Sequence, residues 1–151
     1  ALQHIPVEQQ TLLEELDTDV PHRADIISAD RNVSLASHLI SVFTILTEWG
    51  APAPVCTAGL FHSVYETVTG HRACNARSAR PHLRDVLGDE AERLVYLFQS
   101  ANRCAFETRN RDGLWDAPLG EPFVLPGVLD EQPTWFTCEP ELRAPLVLLF
   151  L

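Results

Sequence analysis

From Pro52 to Val68 the chain sets Val55, Cys56, Ala58, Leu60, Phe61, Val64, Tyr65 and Val68 in a row with almost no polar side. A helix that is apolar all round has to be enclosed by other elements, so this segment is expected to be a central helix with Pro52 in its first turn. Its neighbours can be read from spacing. Leu35, Leu39, Val42, Leu46 and Trp49 recur every three or four residues, which predicts a helix from Ser34 with one apolar stripe, stopped by Gly50. Behind Gly88, the residues Ala91, Leu94, Val95, Phe98, Ala101, Asn102 and Ala105 share one inward face of a further helix, with Asp89 as its cap. Val7 to Leu16 reads as a short amphipathic helix ending before Pro21, and the Arg- and His-rich stretch His71 to Arg84 is expected to break at Pro81.

The final third differs. Pro118, Pro122, Pro126, Pro133 and Pro140 argue against a continuous helix between Asp116 and Thr134. An ordered, irregular segment is expected to wrap the core there, followed by a helix from about Glu139 to Leu151 that Pro145 kinks or limits. The expected fold class is therefore all-α: a helical bundle with an irregular proline-rich C-terminal segment, making a single domain over residues 1–151.

Charge removes several functions. There are 21 acidic residues against 11 basic ones, a formal charge of -10, which would repel nucleic acid. Every basic residue is Arg, so Schiff-base chemistry and a phosphate-loop lysine are excluded. Cys56, Cys74, Cys104 and Cys138 stand far apart with no metal or redox spacing, as expected of a reduced, cytoplasmic protein. The start of the chain lacks the pattern of a signal peptide, and the longest apolar run, Pro145 to Leu151, is too short to span a bilayer, so no membrane association is expected.

Against this background a histidine, a tyrosine and a glutamate inside the apolar segment form a candidate site. In a continuous helix His62 and Glu66 are four residues apart on one face, with Tyr65 beside them, so an imidazole and a carboxylate could converge on one ion or substrate. His38 lies in line with Val42 and Ile45 on the preceding helix, toward the core or its edge, and Asn102 lies on the inward face of a later one. A carboxylate on an apolar helix costs several kcal/mol (about 2–7 for an unpaired polar group) unless it is paired, ligated or protonated, so Glu66 needs a partner such as Arg103 or a role.

Three inward polar positions on three consecutive long helices, His38, His62 and Asn102, resemble the HD-domain superfamily. His38 stands where that family has its first ligand, His62-Ser63 where its His-Asp doublet would stand, and Asn102-Arg103 where an Asp-Arg often stands. The run Glu48-Trp49-Gly50-Ala51-Pro52, followed by Ala58 to Tyr65, is similar to a divergent HD-like branch with an Ala-Gly-Leu-Phe-His-Ser-Val-Tyr motif. The resemblance covers roughly Pro21 to Phe106. It implies an HD-domain-like bundle in which His38, His62 and Asn102 stand at positions that hold one or two divalent metals; with its charged ligands missing, this chain is expected to hold one metal (Mn, Fe or Zn) on His38, His62 and Asn102 with Glu66 as a further ligand, or none. Ser63 supplies no carboxylate, and Asn102 offers a neutral amide oxygen where the family has a charged one.

The expected activity is that of a small-molecule enzyme with Glu66, His62 and Tyr65 as catalytic groups, in one version a metal-dependent hydrolase of a phosphate or other ester. The alternatives are a metal-independent acid/base enzyme (an isomerase or cyclase), an HD-type iron oxygenase, and a non-catalytic ligand- or protein-binding module. Each residue also has a plain structural reading. The two histidines could be hydrogen-bonded core residues, Tyr65 a core aromatic with its hydroxyl satisfied, and Asn102 a bridge between helices. Arg72, Arg77, Arg80 and Arg84 could bind an anion, but read first as a solvated face.

Overall fold

A computed structural model describes residues 5–18, 35–65, 76–101, 120–129 and 132–150. These form six α-helices and one β-hairpin: α1 (Val7–Thr18), α2 (Leu35–Glu48), α3 (Ala53–Leu60), α4 (Ala76–Leu87), α5 (Asp89–Ser100), β1 (Phe123–Leu129), β2 (Gln132–Cys138) and α6 (Arg143–Phe150), which a 3-10 turn, Pro140–Leu142, precedes.

The mostly helical architecture follows from the apolar spacing. Leu39 and Leu46 of α2, Val55, Ala58 and Leu60 of α3, and Leu94 and Val95 of α5 all lose their contact with water and meet in one core. The apolar segment is central, as its composition requires, packing against α2 on one side and α5 and α6 on others. At the crossing of α2 and α3, Gly59 lets the helices approach closely: a Cβ there would run into Leu46 Cδ1 and lie 3.1 Å from Val42 Cγ1. Gly50, at φ 72°, ends the α2 segment in a conformation that L side chains rarely adopt. Trp49 departs from the expected stripe. It lies beyond the last residue of α2 and is 61% exposed.

The central helix is shorter than its apolar run. It ends at Leu60, with Phe61 at φ -116° and ψ 16° as its C-cap, and helical backbone resumes only at Val64 and Tyr65. His62 therefore sits in a turn, so the expected placement of His62 and Glu66 on one face of a continuous helix does not hold for His62. Pro81, expected to break the chain, lies inside α4. It faces solvent, while Leu83 and Leu87 of the same helix are buried and Arg80 and Arg84 are tied to α5, and these contacts offset the hydrogen bond the proline removes. Asp89 is the first residue of α5 and not its cap. Gly88, at φ 87°, holds the N-cap position with no side-chain bond, and Asp89, Glu90 and Glu92 put negative charge at the positive end of the helix.

The last third corrects the all-α expectation. Phe123–Leu129 and Gln132–Cys138 pair as an antiparallel hairpin in register from Phe123↔Cys138 to Leu129↔Gln132. Proline weighed against a helix here, but it does not forbid a two-stranded sheet, where each strand has an outer edge whose N–H groups need no ladder partner. The side chains alternate as a half-buried sheet demands: Phe123, Leu125 and Cys138 face the core, whereas Val124, Trp135 and Thr137 face out. Ala101 leaves α5 in an extended conformation and bridges to Gly127, so α5 ends at Ser100, and the expected inward positions Asn102 and Ala105 lie outside the described residues. Pro145 is the third residue of α6, in the first turn, where its missing N–H had no intrahelical acceptor, so it does not kink the helix.

Candidate functional site

His62 is placed by the end of α3. That end leaves carbonyls without intrahelical donors, and the Gly59 carbonyl takes up His62 Nδ1 at 2.7 Å. A carbonyl can only accept, so Nδ1 carries the proton in this bond, and a neutral ring with that tautomer has its lone pair on Nε2. The His62 carbonyl in turn accepts a hydrogen bond from Gln99 Nε2 of α5 at 2.6 Å. The imidazole stands between two rings: His38 of α2, with centroids 5.2 Å apart and planes at 83°, and Phe98 of α5, at 5.5 Å and 77°. Both histidines are half-buried. The rings of His38 and His62 thus lie in edge-to-face contact, the first from α2 and the second from the turn after α3.

Tyr65, three residues further on, belongs to a second group. Its hydroxyl donates to Glu92 Oε1. Glu92, on α5, is 0% exposed and also receives Arg80 Nε at 2.6 Å, Arg80 Nη2 at 3.0 Å and Arg84 Nε at 3.1 Å. The Arg80 guanidinium lies 3.8 Å over the Tyr96 ring, and Tyr96 meets Tyr65 edge-on at 5.9 Å and Phe136 of β2 at 6.4 Å. Burial pushes the Glu92 carboxyl upward, but the hydrogen bonds from Arg80, Tyr65 and Arg84 outweigh it and hold the group below the usual carboxylate range. Burial first, then the hydrogen bond and charge of Glu92, raise Tyr65 well above an ordinary phenol. The bond to Glu92 raises Arg80 further. Glu92 is thus a carboxylate and Tyr65 a phenol at neutral pH.

Glu92 is not marked by the sequence reading. Arg84 is exposed, as expected of a solvated face, while Arg80 is partly buried, and both reach the buried carboxylate because four-residue spacing puts them on one side of α4 opposite α5. A signal was present. Glu92, Tyr96 and Gln99 follow one another at helical spacing, beside the Ala91, Leu94, Val95 and Phe98 face, and form a polar stripe along a helix otherwise inward-facing. Glu66 and Asn102, proposed to complete the metal site, lie outside the described residues, as do Cys74, Arg103 and Cys104. Among the described residues no group of three or more His, Cys, Asp and Glu could hold a metal ion, Glu92 being taken up by its hydrogen bonds. Also among them, no helix is long and apolar enough to cross a membrane.

Residues 22–103, more than half of the chain, match the model of a domain of unknown function, DUF6817. The chain belongs to that family. Comparison with curated proteins and with solved structures returns no match. The DUF6817 segment takes in α2 to α5 and with them His38, His62, Tyr65, Arg80, Arg84, Glu92 and Gln99, whereas α1, the hairpin and α6 lie outside it. Both polar groups described above therefore sit within the DUF6817 domain itself.

Proposed function

We propose that this DUF6817 domain is a small-molecule enzyme on an HD-like helical scaffold, with the His38–His62 pair at its reacting centre holding one divalent ion. The observation that supports this reading is the meeting of the two imidazoles at a centroid separation of 5.2 Å. Two imidazoles bound tetrahedrally to one ion through nitrogens about 2.1 Å away have ring centroids about 5 Å apart. The Nδ1–H of His62 resting on a main-chain carbonyl is the second-shell arrangement that orients ligating histidines.

The donor chemistry fits zinc, iron or manganese at two positions, and in this reading Glu66 supplies an oxygen donor and Asn102 a weaker one. Such an ion, when bound, lowers the pKa of water enough for attack on a phosphate or other ester, and iron would open oxidative chemistry instead. The chain's own groups have separable tasks. The Gly59 carbonyl holds the Nδ1–H of His62, which makes Nε2 the ligating nitrogen in this reading. Phe98 walls one side of that ring and lowers its access to water. The proton of Tyr65 is committed to Glu92, so proton transfer falls to His62 and Glu66 and not to the phenol. Cys56 and Cys138, both buried free thiols, accord with a reduced, cytoplasmic setting and take no part.

A second reading draws on the same tautomer. A neutral His62 with its lone pair on Nε2 is a base in its own right, and with Glu66 it would run an isomerisation or cyclisation without metal. Metal analysis of protein purified without chelator, repeated for His38→Ala and His62→Ala, tests the proposal. Stoichiometric metal that is lost in both variants supports it. A metal-free protein whose turnover falls with Glu66→Gln supports the acid/base reading, and a protein with neither metal nor turnover is a binding module.

A further inference from the structure

Helix α5 touches the His62 turn at two polar points. Near its C-terminal end Gln99 donates to the His62 carbonyl at 2.6 Å, and seven residues earlier Glu92 accepts the Tyr65 hydroxyl. Seven residues are two helical turns, about 10 Å, so one side of one helix grips the His62-to-Tyr65 stretch at both ends. The stretch needs such a grip. The hydrogen-bond ladder of α3 closes with the Phe61 N–H on the Thr57 carbonyl at 3.1 Å, and the Phe61 backbone is non-helical, so the helix does not by itself fix the direction of the residue that follows.

The construction of the Glu92 end is informative. Burying a carboxylate is costly even when it is paired, and apolar residues of similar volume would join α4 to α5 at least as well. What apolar residues cannot do is fix a direction. The Glu92 oxygens are held by Arg80 and Arg84 so that one of them meets the Tyr65 hydroxyl at a set place. We propose that Gln99 and Glu92 are positioning residues of the His38–His62 centre: together they set the backbone of the turn that carries His62 and hence the direction in which its imidazole meets His38. The functional meaning of this inference rests on the His pair being the working centre, but the geometry it describes does not.

Two variants remove the grips one at a time while leaving the Glu92–arginine bridges intact: Gln99→Leu and Tyr65→Phe. Two readouts are used, the imidazole nitrogen resonances of His62 by NMR in metal-free protein and the affinity for Co2+ alone by absorption. Leu16→Ala, a core change on α1, controls for lost stability. Both variants are expected to shift the His62 nitrogen resonances and to weaken Co2+ binding about tenfold or more, the usual effect of removing an outer-shell partner, while Leu16→Ala does neither. Wild-type resonances in both variants, or an equal shift in Leu16→Ala, would overturn the inference. Failure of the functional reading looks different: wild-type protein takes up no Co2+, or His38→Ala takes up as much, and the resonances of His62 then decide the positioning role by themselves.

Discussion

Tyr65 donates its phenolic proton to Glu92 across the contact between the central segment and α5, which joins the turn carrying His62 to a carboxylate closed off from solvent. The pair makes the stability of the domain sensitive at both ends of the pH scale, through two groups that touch.

At the acid end, Glu92 stays ionised in the folded chain below the value of about 4.3 at which a free Glu takes up a proton. Its contribution is therefore complete above that ordinary value and is lost as pH falls through the lower folded one. Glu92→Gln is expected to cost about 3 kcal/mol at neutral pH, toward the lower end for breaking a buried pair, because Arg84 is 46% exposed and water screens it. Urea unfolding at neutral pH and again below pH about 4 checks this: the gap between wild type and variant narrows in acid.

At the alkaline end the sign reverses. The Tyr65 phenol is raised, so its contribution is complete below about pH 10, the ordinary phenol value, and is lost as pH rises further and the unfolded chain alone ionises. Tyr65 phenolate absorbance should appear only together with alkaline unfolding. Tyr65→Phe removes that step and costs about 1–3 kcal/mol at neutral pH by leaving a buried acceptor short of one donor.

Gly59→Ala probes the crossing of α2 and α3. An added methyl meets Leu46 Cδ1 inside a packed core, and overpacking of this kind costs about 1–3 kcal/mol, against a gain in helix propensity of at most about 1. Thermal unfolding should show a net loss that Leu46→Val in the same chain partly restores.

Cys138 is buried, and burial pushes its thiol up to about 11. Native protein at mildly alkaline pH should leave Cys138 unmodified by iodoacetamide, while protein in denaturant is alkylated there at once, as peptide mass mapping will read.

The helices were legible because their information is periodic and local. Leu35, Leu39 and Leu46 announce α2, and Ala91, Leu94 and Val95 announce α5, since each helix buries the face its own spacing prescribes. The hairpin was not legible, because Pro126 and Pro133 carry a strong signal against helix and none against an edge strand. The break at Phe61 was hidden for a different reason: the residues around it are apolar and suit helix and turn alike, and what decides is the hydrogen bond of His62 to the Gly59 carbonyl. At the candidate site the place of His38 is legible from its helical stripe, whereas His62 meets it from a turn that no stripe announces. Glu92 could not be found by asking for motifs, because its partners Arg80 and Arg84 sit 12 and 8 residues away on another helix and Tyr65 is 27 away.

Gln9 of α1 reaches the Val86 carbonyl of α4, Leu12, Leu13 and Leu16 enter the common core, and at the other end Ala101 bridges to Gly127, whose own backbone lies so near Ser100 that a Cβ would come within 2.6 Å of its carbonyl oxygen. The matched segment, 22–103, thus shares its core with chain on both sides of it. Cut out alone, it would bare the sides of α2, α4 and α5 that α1 and the hairpin now seal.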